Sequence, residues 1–116
     1  MAEGFANHYG SDVLRATSAG IAPVTSIVAP TVATMREKNV DVSLHVPRLY
    51  DPRFADRYDL VINMSGCQLP GSPPRNLQEW AIADPYRSSA AVYRAVRDDL
   101  EQKVMRVILQ LRRESR

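Results

Sequence analysis

Toward the carboxyl end of the chain, apolar residues recur at four-residue steps, Val92, Val96, Leu100, Val104 and Ile108, with Leu111 closing the series. The positions between them carry Arg94, Arg97, Asp98, Glu101, Arg112 and Arg113. That period predicts one long amphipathic helix from about Ser89, its charged face in solvent. A different pattern fills Asp59-Leu60-Val61-Ile62-Asn63-Met64, where the Leu-Val-Ile centre lies between an acidic entry and a Ser65-Gly66 exit. Consecutive apolar residues leave no face for water, so this stretch predicts a strand in the middle of a parallel sheet with helices on both sides.

The remaining elements follow from the same kind of pattern. Met1 to Tyr9 reads as a helix with Met1, Phe5 and Tyr9 on one face and Gly10 as a left-handed cap. It opens with no capping residue, as expected of a helix whose beginning has been cut away. Asp12 to Ala19 alternates weakly and predicts a strand, and Ile21-Ala22-Pro23 predicts a turn. Ala29-Pro30 starts a short helix with Val32, Ala33 and Met35 inward, Asn39 closes it, and Val40 to Ser43 exits extended. Asp51-Pro52 reads as a capping aspartate before a first-turn proline, predicting one helical turn ahead of Tyr58. Pro70, Gly71, Pro73 and Pro74 make 65–76 a loop, and Leu77 to Ile82 around Trp80 predicts a last strand that Ala83-Asp84-Pro85-Tyr86 breaks. Strands alternating with helices give an α/β, flavodoxin-like, three-layer architecture, and the 116 residues suit a single domain.

Composition narrows the class and leaves the function open. An apolar fraction of 45% and a charged fraction of 24% are those of a globular protein, with no run long enough to span a bilayer and no secretory signal. The expected compartment is the cytoplasm. A net charge of +2 gives no footprint for nucleic acid or an anionic membrane, and the single cysteine, Cys67, excludes an internal disulfide.

In an α/β fold, ligands gather at the carboxyl ends of the strands. Three stretches are therefore expected to lie close together, Ser18-Ala19-Gly20, Ser65-Gly66-Cys67 and Asp84-Pro85-Tyr86. Read locally, Asp84 is either a turn-capping carboxylate or a proton donor held by the fixed φ of Pro85. Cys67 is either an inert thiol or one activated by backbone N–H groups. His8 and His45 stand apart from any Cys or carboxylate cluster, so neither a metal site nor a cofactor is expected. Gly66 and Gly71 have the spacing of a phosphate-binding loop, but Ser72-Pro73 stands where Lys-Ser/Thr is required.

Taken in order, several stretches resemble the low-molecular-weight protein tyrosine phosphatase family, which includes the thioredoxin-coupled arsenate reductases. They are Met1 to Phe5, Ser18-Ala19-Gly20, Met35-Arg36-Glu37, Val40 to Ser43 with His45, Asp59 to Ile62, Trp80 to Tyr86, and Tyr93 to Leu100. The resemblance implies a four-stranded parallel sheet whose first strand and C-x-x-x-x-x-R-S loop would precede Met1, so the first strand is expected to be missing here. It implies that Asp84 is the general acid and that Tyr86 shapes the slot for phosphotyrosine or another phosphomonoester. Without the cysteine and arginine of that loop the chain is expected to be inactive as a phosphatase. Two alternatives stand beside that reading: an arsenate reductase, which needs further thiols to resolve its intermediate, or a binding or structural relic. Removing a central strand leaves neighbouring edges near Leu14 and Val61 unpaired. The 116-residue chain is thus expected to self-associate or to be poorly stable; sedimentation velocity should find a species larger than the monomer, and a well-behaved monomer would count against it.

Overall fold

The computed structural model describes residues 1–21 and 28–115. Its longest element is α3, Ala90–Glu114. At a rise of about 1.5 Å per residue this helix is as long as the molecule's greatest extent of 36 Å. Ser89 caps it, its hydroxyl accepting the N–H of Val92 at 3.4 Å. Val96, Leu100, Val104 and Ile108 are buried, as their spacing predicts, but Val92 is exposed and Tyr93 takes the inward place. Strict four-residue steps drift by about 40° each around a helix of 3.6 residues per turn. The three-residue step from Tyr93 to Val96 takes up that drift.

Two shorter helices, α1 (Ala2–Tyr9) and α2 (Ala29–Arg36), pack against α3. Phe5 and Met35 are fully buried with Ile108, and Val40 and Val42 close the same core. The rings of Phe5 and Tyr9 stack at 5.9 Å along one face of α1, and the Tyr9 hydroxyl donates to Glu101 of α3 at 2.9 Å. Gly10 ends α1 with φ −122, not in the left-handed region. The glycine is required for closeness instead, since a Cβ there would stand 2.7 and 2.8 Å from Cγ1 and Cδ1 of Ile108.

In α2, Pro30 lies in the first turn as expected. Ala33 is exposed, however, and Thr34 is buried with Met35. Thr34 satisfies its own hydroxyl by donating to the Pro30 carbonyl at 2.6 Å, which lets a polar side chain face inward. Asn39 does stop the helix, with φ 60 and the N–H of Val40 returning to the Met35 carbonyl. An ion-pair clasp joins α2 to α3. Buried Arg97 donates to the Thr34 carbonyl at 3.1 Å, to Glu37 at 2.6 Å and to Asp98 at 2.9 Å, while Arg94 reaches Glu37 at 2.8 Å.

The α/β class stands, but the described sheet is small. β1 (Val61–Asn63) and β2 (Leu77–Glu79) pair in parallel, Val61 opposite Leu77 and Asn63 opposite Glu79. Both are shorter than the six-residue patterns suggest, because the ladder ends where Asn63 turns its side chain to the following loop. The 3-10 turn Pro52–Arg57 precedes β1, and its Asp51 cap accepts the N–H of Arg53. Asp12 to Ala19 forms no strand. The N–H groups of Val13 and Leu14 return to the Gly10 carbonyl, and two others turn to side chains of α1: Ala16 donates to Asn7 and Ser18 to Glu3. The only ladder contact nearby among the described residues is a parallel bridge between Gly20 and Leu49. The turn expected at Ile21-Ala22-Pro23 falls largely outside the described residues. No described helix is long and apolar enough to cross a membrane.

Two outcomes follow from this packing. Gly10→Ala should lower stability by ~1–3 kcal/mol through overpacking, and Ile108→Ala by ~2–5 kcal/mol through a cavity. In chemical denaturation the double variant should cost less than the sum, because the atoms that crowd the new methyl are gone. The clasp sets an acid limit as well: hydrogen bonds from Arg94, then Arg97, hold the Glu37 carboxyl down at about 2 against an ordinary 4.5. A depressed carboxylate contributes stability above its unfolded value and loses it as the pH falls through its folded value. Thermal melts should therefore drop between pH 4.5 and 2, and Glu37→Gln should flatten that part of the profile.

Candidate active site

The first turn of α1 and the stretch that follows Ser18 meet at one carboxylate. Glu3 accepts the Ser18 N–H on Oε1 at 2.8 Å and stands 2.7 Å from Nδ1 of His45 with Oε2. His45 is brought there by the turn after Val42, whose carbonyl accepts the His45 N–H at 3.1 Å. Its other ring nitrogen, Nε2, lies 3.4 Å from the Ser18 hydroxyl. Glu3 and His45 are each about four-fifths buried, with side-chain exposures of 18%. Since a carboxylate only accepts, the proton of this contact is on His45 Nδ1.

Glu3 and His45 line two cavities, and Ser18 lines the first of them. The first, about 280 Å³, is bounded by Ser18, Ala19, Gly20, His45, Pro47 and Arg48 together with the start of α1. The second, about 340 Å³, lies on the side of Asn7, His8 and Leu44. The close approach that brings α1 to this place depends on Gly4, where a Cβ would stand 2.8 Å from Cγ1 of Val42. Burial holds the Met1 amino group below its ordinary value, with the negative charge of Glu3 opposing.

Cys67 is exposed beyond the carboxyl end of β1. Its backbone is fixed on both sides: Ser65 Oγ accepts its N–H at 3.1 Å, and the Asn63 amide donates to its carbonyl at 2.7 Å. Buried Asn63 in turn accepts from the N–H and hydroxyl of Ser65. Gly66, with φ 75, supplies the left-handed residue this loop needs. Asp84 is exposed in a turn that Trp80 and Ile82 anchor to the core. One carboxylate oxygen accepts the Tyr86 N–H at 3.0 Å. Tyr86 is half exposed, and Arg87, with φ 62, carries its guanidinium 5.3 Å from the Tyr86 ring.

Of the three stretches expected to meet, only Ser18-Ala19-Gly20 lines the first cavity; Cys67 and Asp84 line neither cavity. The sequence pattern missed Glu3 and misjudged His45 as isolated. The signal that was available is that Glu3 sits in a first helical turn, where its carboxylate is close to whatever packs on that end. Among the described residues no group of three or more His, Cys, Asp or Glu is arranged to hold a metal ion.

Comparison with known proteins agrees with this architecture. Residues 1–71 match the family described as low molecular weight phosphotyrosine protein phosphatase. A glutaredoxin arsenate reductase of Synechocystis sp. is 34% identical over 116 aligned residues, covering 96% of this chain and 87% of the relative. An arsenate reductase of Bacillus subtilis is 29% identical over 114 residues, covering 90% and 81%. Among solved structures, an arsenate reductase in the phosphate binding state superposes with a TM-score of 0.84 at 29% identity, covering 95% of this chain and 86% of that one. A protein tyrosine phosphatase superposes with a TM-score of 0.82 at 21% identity, over 96% and 85%, a likeness of fold alone.

Proposed function

This chain belongs to the low molecular weight phosphotyrosine protein phosphatase family, and within it we propose a thiol-dependent reductase of arsenate, with Cys67 as the thiol this chain supplies. The observation that carries the reading is the exposed Cys67 just past β1, its backbone pinned by Ser65 and Asn63. Relatives named arsenate reductase support it across almost the whole chain.

Arsenate to arsenite takes two electrons, and one cysteine supplies one half of a disulfide. The 116 residues hold no second cysteine and no Cys-x-x-x-x-x-Arg stretch. A relative of this chain is named a glutaredoxin arsenate reductase, and the partner thiol in this proposal is accordingly of the glutathione class. That thiol condenses with arsenate, releasing water and forming an S–As bond. The Cys67 thiolate attacks its sulfur, the S–As bond breaks, and arsenic leaves as arsenite with the bonding pair. A mixed disulfide on Cys67 remains, which a second thiol reduces by exchange. Fixing the backbone of Cys67 while leaving Sγ in solvent suits this in-line attack.

A second reading is phosphomonoester hydrolysis, favoured by Asp84, whose second carboxylate oxygen takes no partner among the described residues. There Asp84 would protonate the leaving oxygen and Tyr86 would line the slot.

Assaying the chain with arsenate and glutathione separates the two. Arsenite should form, and one glutathione adduct should map to Cys67 by peptide mass spectrometry. Cys67→Ser should abolish both, and arsenite formation unchanged in that variant would sink the proposal. With p-nitrophenyl phosphate, turnover should stay at the buffer rate. Hydrolysis that Asp84→Asn lowers by about 100-fold or more would favour the phosphatase instead.

A further inference from the structure

Asn63 is the last residue of β1 and faces two ways. Its main chain belongs to the ladder, where its carbonyl accepts the Trp80 N–H at 2.9 Å. Its side chain, on a residue only 4% exposed, leaves the ladder and enters the loop that carries Cys67. There Nδ2 donates to the Cys67 carbonyl at 2.7 Å, while Oδ1 accepts the Ser65 N–H at 3.0 Å and the Ser65 hydroxyl at 2.6 Å. Ser65 Oγ in turn accepts the Cys67 N–H at 3.1 Å. Both peptide groups that flank the Cα of Cys67 are therefore held, and the hold runs through one buried carboxamide back to the sheet.

None of these bonds uses the sulfur, and Cys67 is exposed. The same loop can thus carry a free thiol or a mixed disulfide with its hydrogen bonds unchanged. Gly66 completes the arrangement. Its φ is 75, and a Cβ there would meet nothing within 4 Å, so the turn needs glycine for its backbone conformation and not for room. An added methyl would act through strain alone. Attack of one sulfur on another requires an aligned approach, and a cysteine on an untied loop would meet that requirement only in part of its conformations.

We propose that Asn63 is a positioning residue for sulfur exchange at Cys67, acting on the cysteine backbone directly through Nδ2 and indirectly, by way of Ser65, through Oδ1. The inference rests on the reading of Cys67 as the thiol this chain supplies. The step is the same whether the sulfur under attack is bonded to arsenic or to a second sulfur. With oxidised glutathione, the Cys67 thiolate attacks one sulfur and a new S–S bond forms. The old S–S bond breaks, and glutathione thiolate leaves with the bonding pair. Asn63 touches none of the reacting atoms; it fixes the direction from which Sγ meets its target.

The test is the second-order rate at which oxidised glutathione forms the mixed disulfide on Cys67 of the intact chain, followed by mass spectrometry without arsenate. Asn63→Ala and Ser65→Ala should each slow it by about 10-fold or more. The double variant should be no slower than the worse single one, because both break one connected network. Ser65→Thr, which keeps the hydroxyl, should recover most of the rate. A purely structural role predicts none of this pattern among variants that remain folded at the assay temperature. Ser65 and Gly66 are exposed, so Ser65→Ala and Gly66→Ala keep the result readable if Asn63→Ala fails to fold; Gly66→Ala should be slow as well. Ser65→Ala exchanging at or above the wild-type rate, or Ser65→Thr remaining as slow as Ser65→Ala, would overturn the proposal. Arsenite formation is measured in parallel: wild-type protein that exchanges with oxidised glutathione but makes no arsenite refutes the reductase reading and leaves the role of Asn63 standing.

Discussion

Side chains from three separate parts of the chain meet one stripe of α3. Phe5 and Ala6 come from α1, Met35 from α2, and Val40 and Val42 from the segment after it, all against Val96, Leu100, Val104 and Ile108. The two described strands have three residues each, too short a ladder to hold an α/β fold by hydrogen bonding. Apolar burial along α3 therefore does more than the sheet to hold the described residues together. Polar ties then fix how each piece sits on the stripe. Arg97 sets α2 through Thr34 and Glu37, while Tyr9 and Arg112 set α1 and the turn at Asp12.

The candidate site inherits its geometry from that packing. Gly4 lets α1 approach Val42, and the turn after Val42 carries His45 to Glu3. A buried apolar contact thus places a polar one. Cys67 is organised differently, by local hydrogen bonds from Asn63 and Ser65 at the end of β1. The two centres are built by separate means, which allows each to be altered without dismantling the other.

Much of this was legible in the sequence where a local rule decides the outcome. The stripe of α3, the Asp51-Pro52 cap, the stop at Asn39 and the irregular 65–76 loop follow from period, proline chemistry and tolerance of positive φ. The position of Cys67 past β1 also followed, since the exit of an apolar run marks a strand's carboxyl end. Segment 12–19 was not legible, because weak alternation specifies extended backbone but not its partner. Here the partners are the Asn7 and Glu3 side chains. Gly10 was misread for a related reason: a glycine after a helix fits a left-handed cap, and only the position of Ile108 reveals that room, not φ, requires it. Glu3, His45 and Ser18 lie far apart in the chain and have no shared motif, so their meeting becomes visible only in three dimensions.

Asn7 has a consequence for which residues this fold can accept. Its carboxamide accepts the Ala16 N–H and donates to the Ala16 carbonyl, both at 2.9 Å, so one side chain offers the donor and acceptor pair that a neighbouring strand would present. An aspartate there, nearly identical in shape, would keep the acceptor and set a second oxygen against the carbonyl. Hydrolysis of a single amide would replace an attraction with a repulsion and loosen the segment that carries Ser18, with no change in side-chain size.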